Sequence, residues 1–115
     1  MYSDGNRTVR STDKIGAGGA HVEFEVFTGQ GDREAGEVLG KIHFQDDTIP
    51  NVGVVGWTNE CLLAIVSDRL KSFQSGRFPC DENDQTMTRV DEALSILERR
   101  TADRMARNVE GQHKA

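Results

Sequence analysis

The sequence predicts an α+β fold, in which a small antiparallel β-sheet is followed by a C-terminal antiparallel two-helix hairpin. Apolar and polar residues alternate in the first half of this 115-residue chain, a period typical of half-buried strands. In the second half, apolar residues recur every three or four positions, which is typical of amphipathic helices. The pattern changes at Thr58, a residue suited to the N-cap of a helix.

Three stretches of the first half predict strands. Residues 21–28 alternate most clearly, and residues 37–45 predict a second strand. Residues 49–55 predict a third, weaker strand, because Pro50 lacks a backbone N–H and Gly53 weakens a strand interior. The inward-facing residues expected of the first two strands are Val22, Phe24, Val26, Ile42 and Phe44.

Two helices account for the second half. The first is predicted from Thr58 to Gly76, with Gly76 as a left-handed cap at its C-terminal end. The second is predicted to begin near Asp81, where acidic residues suit the helix dipole, and to run to about Arg107. The expected apolar faces are Leu62, Leu63, Ile65, Val66, Leu70 and Phe73 in the first helix, and Met87, Val90, Leu94, Leu97, Thr101 and Met105 in the second.

The expected organisation is a disordered N-terminal arm, residues 1–19, followed by a single domain, residues 20–115. The arm is polar and rich in glycine, with no hydrophobic period. Within the domain, residues 20–57 form the sheet part and residues 58–108 form the helical hairpin.

Composition and charge disfavour several classes of function. The net charge of −5, from 14 basic and 19 acidic residues, disfavours binding to long nucleic acids, which usually requires a basic excess. The longest uncharged apolar run, residues 61–66, is far shorter than the roughly 20 residues that span a bilayer. Residues 1–20 show no secretory signal, so we expect a cytoplasmic protein that binds no membrane. Only 36% of the residues are hydrophobic, and so small a core favours homo-oligomerisation.

Arginines near the end of the second helix are the strongest candidates for a binding site. Arg100 and Arg104 are four residues apart, so their guanidinium groups lie side by side on the helix, with Arg107 on the same side. Two adjacent positive charges repel each other unless an anion lies between them, and the arginine fork suits phosphate. The alternative is that acidic residues neutralise these arginines, either Asp103, Glu110 or Asp68 of the same chain or those of a partner chain.

Phe73 and Asn83 lie on either side of the turn between the two helices. An aromatic ring at this position is able to stack on a base, and an asparagine amide is able to hydrogen-bond a base edge or a ribose. The alternative is that Phe73 and Phe78 pack against the turn and that Asn83 is an ordinary surface or capping residue.

Motifs for catalysis or metal binding are missing from the sequence. The three histidines are scattered, and Cys61 and Cys80 form no CxxC pair, so we expect no structural metal. The sequence has no phosphate-binding loop, no nucleophile elbow and no zinc-protease signature. These patterns favour binding over turnover.

Residues 42–111 contain a series of short segments in a characteristic order. They are Ile42-His43-Phe44-Gln45, Val52-Gly53-Val54-Val55-Gly56, Asn59-Glu60-Cys61-Leu62-Leu63-Ala64-Ile65-Val66, Asp68-Arg69-Leu70, Phe73-Gln74-Ser75-Gly76, Phe78-Pro79-Cys80-Asp81-Glu82-Asn83, Glu92-Ala93-Leu94, Arg100-Thr101-Ala102-Asp103-Arg104 and Val109-Glu110-Gly111. In this order and spacing they resemble the phage-encoded Thoeris anti-defence nucleotide sponges, whose helical hairpin is shared with the anti-CBASS sponges. The chain departs from the family pattern at Val55, where asparagine is common, and at Asn108, where glycine is common.

The resemblance implies a binding protein that is not an enzyme and needs no cofactor. Proteins of this family take up a bacterial immune signal, a cyclic ADP-ribose isomer, and leave it intact. Some also bind cyclic di- or trinucleotides. The resemblance further implies homodimers, and often hexamers.

The resemblance also assigns roles to individual residues. Arg100 and Arg104 match paired arginines that grip the phosphates. Phe73 matches an aromatic residue at the base pocket, and Asn83 matches a polar contact. Arg107 is a further candidate ligand-binding residue at the end of the same helix. Two other functions stay open, namely an enzyme that degrades the same signal and a protein-interaction module without a small ligand.

Overall fold

The computed structural model describes residues 2–16, 18–29, 36–46 and 49–106. The chain divides into two compact units, Met1–Trp57 and Thr58–Ala115. The first unit carries an antiparallel sheet and the second carries two long helices, so the predicted α+β class is confirmed.

The first unit is built on a four-stranded antiparallel sheet in the order β1-β2-β3-β4. The strands are β1 Tyr2–Ser3, β2 Arg7–Ser11, β3 Glu23–Thr28 and β4 Val38–His43. The last two confirm the strands predicted in residues 21–28 and 37–45. The pairing of β3 with β4 shifts register between Val26 and Phe27, which marks a β-bulge.

The prediction of a disordered arm over residues 1–19 is wrong, because β1 and β2 lie within it. Strand β2 pairs with β3 along its whole length and places Val9 opposite Val26. Thr8 is only 3% exposed, and its hydroxyl donates a hydrogen bond to the carbonyl oxygen of Gly29 at 2.8 Å. A buried threonine and backbone pairing stabilise this strand, which has no run of apolar residues. Composition therefore does not predict it.

A tight turn joins β1 to β2. The carboxylate of Asp4 accepts hydrogen bonds from the backbone N–H groups of Asn6 and Arg7, at 2.9 and 2.8 Å, and from the guanidinium group of Arg7. These hydrogen bonds, with the one from the Asn6 N–H contributing most, lower the pKa of Asp4 to about 2. Gly5 follows with a φ of 91°, a left-handed conformation that glycine adopts without strain.

The predicted apolar face of the sheet is only half-buried. Phe24 and Phe44 meet edge to face on it, with ring centroids 5.7 Å apart. Among the described residues the most deeply buried side chain is that of Phe27, 1% exposed, which lies on the other face. The guanidinium carbon of Arg10 lies 5.7 Å from the centroid of the Phe27 ring. The alternation of residues therefore distinguished the two faces of β3 but did not predict which face is more deeply buried.

The predicted third strand, residues 49–55, is wrong, because its first residues form the short helix α1, Ile49–Val52. Gly53 adopts a φ of 77°, and its N–H donates to the carbonyl oxygen of Ile49 at 2.8 Å, which ends the helix. The Gln45 side chain fixes the following turn, donating to the Gly53 carbonyl at 2.8 Å and accepting from the Val55 N–H at 3.1 Å. A proline near the start of a helix costs no internal hydrogen bond, and the segment is therefore helical despite Pro50.

We predict that Gly56→Ala destabilises the first unit strongly. A Cβ atom at this position would lie 2.6 Å from the carbonyl oxygen of His43 and against the carbonyl of Phe44. Both neighbours are backbone atoms that cannot rotate away, so we expect the free energy of unfolding to fall by about 2–3 kcal/mol. Urea denaturation measures this change. Gly40→Ala is the matched control, because a Cβ there meets nothing within 4 Å, and an equal loss in both variants would contradict the prediction.

The second unit consists of two helices, α2 Asn59–Ser75 and α3 Asp81–Ala106. Thr58 caps α2 as predicted, and its hydroxyl oxygen accepts a hydrogen bond from the Cys61 N–H at 3.2 Å. The predicted left-handed cap at Gly76 is wrong. Gly76 has a φ of −100°, and its N–H donates to the carbonyl oxygen of Phe73 at 3.2 Å instead.

Side-chain contacts show that α2 and α3 run antiparallel, as predicted. The hydroxyl of Ser67, a residue only 4% exposed, donates to the carboxylate of Asp91 at 2.6 Å. Near the start of α2 and the end of α3, the Thr101 hydroxyl donates to Glu60 at 3.2 Å. The face of α2 that α3 covers is narrower than the sequence predicts. Leu70 is buried, whereas Ile65, Val66 and Phe73 of the same predicted face are 46%, 41% and 48% exposed.

Candidate ligand-binding site

Two predicted site residues form an arginine cluster, Arg100 and Arg104, in the last two turns of α3. Arg104 is half-buried, with its Nε atom inside the protein, whereas Arg100 is exposed. Within the described ranges Arg100 makes no ion pair, so the alternative that Asp68 neutralises it is not supported. Arg107 and Glu110 lie outside the described residues. The cluster therefore presents at least one positive charge that is open to an anion.

The other two predicted site residues form a turn cluster, Phe73 and Asn83, on either side of the connection between α2 and α3. The side chain of Gln74 holds this connection in place. It donates to the carbonyl oxygen of Cys80 and accepts from the Cys80 N–H, both at 3.0 Å. The Asn83 N–H donates to the sulfur of Cys80 at 3.4 Å, which leaves the side-chain amide of this half-buried residue for other partners.

Phe73 does not pack into the turn, contrary to the alternative considered from the sequence, because its side chain is 48% exposed. The guanidinium carbon of Arg69 lies 5.3 Å from the centroid of the Phe73 ring. This cation–π contact covers one side of the ring and helps to fix its orientation. A ring held in this way suits the stacking of a flat heterocycle on its other side.

The two clusters lie on the same side of the hairpin. Helix periodicity of about 100° per residue places the arginine cluster on one side of the α3 face that contacts α2, and Asp91 on the other side. The Nζ atom of Lys71 lies 3.9 Å from a carboxylate oxygen of Asp91. Lys71 of α2 therefore lies on the same side of the hairpin as Asp91. The same periodicity places Phe73 away from Lys71, on the side of the arginine cluster.

The two clusters nevertheless lie at opposite ends of α3. Asn83 belongs to its first turn and Arg100 to a turn near its end, about 26 Å farther along the axis at a rise of about 1.5 Å per residue. Arg104 lies one turn beyond Arg100. One small nucleotide therefore cannot touch both clusters of a single chain.

A shallow depression of about 520 Å³ lies on the face of α3 that points away from α2, with Asp91 at one edge. It contains Arg99 but neither arginine of the cluster. Its lining residues are Thr88, Asp91, Glu92, Ser95, Ile96 and Arg99. The acidic side chains among them suit an anionic ligand poorly, so we do not assign the predicted site to this depression.

Both cysteines are free and exposed. Thr58 donates its hydroxyl to the Cys61 sulfur at 3.2 Å, and hydrogen bonding by Thr58 lowers the pKa of the Cys61 thiol. No group of three or more potential metal ligands occurs in the part of the chain that the structure describes. Within that part, none of the helices is long and apolar enough to cross a bilayer.

The structure defines an α+β protein in which a sheet is followed by an antiparallel helical hairpin, and the hairpin carries an arginine pair and an exposed aromatic ring on one side. The family model described as the Acb2/Tad1 hairpin domain matches residues 37–102. The chain therefore belongs to the Acb2/Tad1 hairpin family, which confirms the resemblance found in the sequence.

A curated relative supports this assignment. Thoeris anti-defense 1 of Bacillus phage SBSphiJ7 is 42% identical to the chain over 76 residues. The match covers 66% of this chain and 54% of the relative. The chain thus spans about half the length of the curated relative that it matches.

Proposed function

We propose that the protein binds and sequesters cyclic nucleotide immune signals without degrading them. The primary ligands are cyclic ADP-ribose isomers, and cyclic di- and trinucleotides form a second class. Sequestration inhibits bacterial anti-phage defence of the Thoeris and CBASS types, in the cytoplasm of the infected host. The observation that carries the proposal is the arginine cluster, which lies in a chain of the Acb2/Tad1 hairpin family. The matched segment of this chain is 42% identical to a protein named for Thoeris anti-defence.

The chemistry of the two clusters suits such ligands. Arg100 and Arg104 present guanidinium forks one helical turn apart, a spacing that suits a pyrophosphate or two adjacent phosphates. Phe73 offers a ring for stacking, and Asn83 offers an amide that both donates and accepts hydrogen bonds. None of these groups serves readily as a nucleophile or a general base, and for this reason we propose binding rather than turnover.

We further propose that the complete site contains residues of two chains. The turn cluster and the arginine cluster of one chain are about 26 Å apart along α3, too far for one small nucleotide to bridge. A homo-oligomer resolves this separation if the arginine cluster of one chain meets the turn cluster of another. The ligand then lies between subunits, so ligand binding and subunit association stabilise each other.

A thermal-shift panel tests the proposed function. We expect one or more cyclic ADP-ribose isomers to raise the Tm clearly, because tight binding to the folded state alone stabilises it. Cyclic di- and trinucleotides are the second arm, with ATP and NAD as controls. If no cyclic nucleotide shifts the Tm, the proposal fails. Recovery of the ligand after denaturing the complex completes the test, since a cleaved ligand would show an enzyme rather than a sponge.

A further inference from the structure

Polar side chains, rather than apolar ones, determine the conformation of the turn between α2 and α3. Of residues 71–86, only Gln74 and Asn83 are half-buried, and all the others are exposed. Both half-buried residues carry amide side chains. Phe78, which lies within the turn, is 82% exposed and contributes little apolar burial. The conformation of this turn therefore depends on hydrogen bonds more than on hydrophobic contact.

The Gln74 side chain closes the turn with two hydrogen bonds to a single residue. Its amide nitrogen donates to the carbonyl oxygen of Cys80, and its amide oxygen accepts from the Cys80 N–H, both at 3.0 Å. The same carbonyl oxygen accepts the Asp84 N–H at 3.2 Å, a bond between residues four apart with which α3 begins. Gln74 therefore joins the C-terminal end of α2 directly to the residue from which α3 starts.

Cys80 continues this connection into the first turn of α3. It precedes Asp81, the first residue of the helix, and its sulfur accepts a hydrogen bond from the Asn83 N–H at 3.4 Å. A side chain that precedes a helix and accepts from the N–H of the third helical residue is an N-cap. Sulfur is a weak acceptor, so a serine hydroxyl at this position is expected to cap the helix at least as well.

We infer that Gln74 and Cys80 are positioning residues of the proposed ligand site. Together they fix the geometry of the turn cluster, in which Phe73 precedes Gln74 in α2 and Asn83 is held through Cys80 in α3. Neither positioning residue needs to touch the ligand. A preformed geometry lowers the entropic cost of ordering the ring and the amide when a ligand binds. The inference rests on the proposed function, because it concerns the affinity of the same site.

Amide hydrogen exchange of the full-length chain without ligand, followed by NMR, tests the hydrogen bonds. The first N–H groups of a helix have no partner within it, so protection at Cys80 and Asn83 reports these side-chain contacts. We expect Gln74→Ala to speed exchange at the Cys80 N–H, and Cys80→Ala to speed exchange at the Asn83 N–H, each about tenfold. Cys80→Ser should keep Asn83 protected. Unprotected N–H groups in the native protein, or rates that neither alanine variant changes, would overturn the inference whatever the protein binds.

Ligand affinity tests the positioning role. We compare the variants by isothermal titration calorimetry with the ligand identified by thermal shift. We expect the Kd to rise about tenfold in Gln74→Ala and about threefold in Cys80→Ala, and to stay native in Cys80→Ser. Ser67→Ala is the matched control, because it also removes a hydrogen bond between the helices, 2.6 Å long, but about two helical turns before Gln74. This control should lower the Tm and leave the Kd unchanged.

A double-variant cycle separates positioning from a general loss of stability. If Cys80 acts through Asn83, then Cys80→Ala has no further effect on the Kd once Asn83→Ala has removed the amide. Additive losses, or equal losses in Gln74→Ala and Ser67→Ala, would overturn the inference. A native protein that binds no cyclic nucleotide rejects the proposed function. A native protein that binds one, while Gln74→Ala keeps its affinity, rejects only the positioning role.

Discussion

Replacing Arg100 with alanine is expected to remove most of the affinity for a phosphate-bearing ligand while leaving the fold intact. Arg100 is exposed and makes no ion pair within the described ranges, so its loss breaks no contact of the free protein there. In the complex the same guanidinium forms charge-assisted hydrogen bonds to phosphate. Losing them costs about 3 kcal/mol, roughly a hundredfold in Kd. Isothermal titration calorimetry with the ligand identified by thermal shift measures the change.

Arg99→Ala is the matched control for this experiment. Arg99 is the neighbouring residue, has the same charge and lies in the depression on the face of α3 that points away from α2. Both variants change the net charge by the same amount, so a general electrostatic effect would weaken binding equally. We expect Arg99→Ala to retain nearly the native affinity. Native affinity in Arg100→Ala, or equal losses in both variants, would reject the assignment of the arginine cluster to the ligand site.

The elements that the sequence predicts well are those whose pattern is local. Strands β3 and β4 alternate in hydrophobicity, and helices α2 and α3 repeat every three to four residues, so their positions follow from periodicity alone. Strand β2 lacks such a pattern. It is fixed by pairing with β3 and by the hydrogen bond from Thr8 to Gly29, 21 residues away. Contacts between residues this far apart in sequence cannot be predicted from the pattern of a short segment.

The same distinction applies to the candidate site. Periodicity placed Arg100 and Arg104 side by side, the residue types on either side of the helix turn made Phe73 and Asn83 candidates, and the resemblance assigned roles to all four. The contact of Arg69 with Phe73 was missed, although a spacing of four residues on a helix is the signal for it. The separation of the two clusters follows from the antiparallel hairpin, because residues at the start and end of one long helix cannot converge within a chain.

A mixture of two inactive variants is expected to regain ligand binding. If the site takes Arg100 from one chain and Phe73 from the other, Arg100→Ala and Phe73→Ala each destroy both sites of their own homodimer. In the mixed dimer, the Phe73→Ala chain supplies an intact Arg100 to the intact Phe73 of the Arg100→Ala chain. One complete site forms, and the second site lacks both residues.

Co-expression with two different affinity tags isolates the mixed dimer for titration. We expect native-like affinity at half the native stoichiometry, because one complete site per dimer replaces two. The alternative, a site contained within one chain, predicts no recovery, since each chain of the mixture then carries one defect in its own site. Recovery cannot come from improved folding, because Arg100 and Phe73 are both exposed and stand at opposite ends of the hairpin. A mixed dimer that forms but does not bind would therefore reject a site shared between subunits.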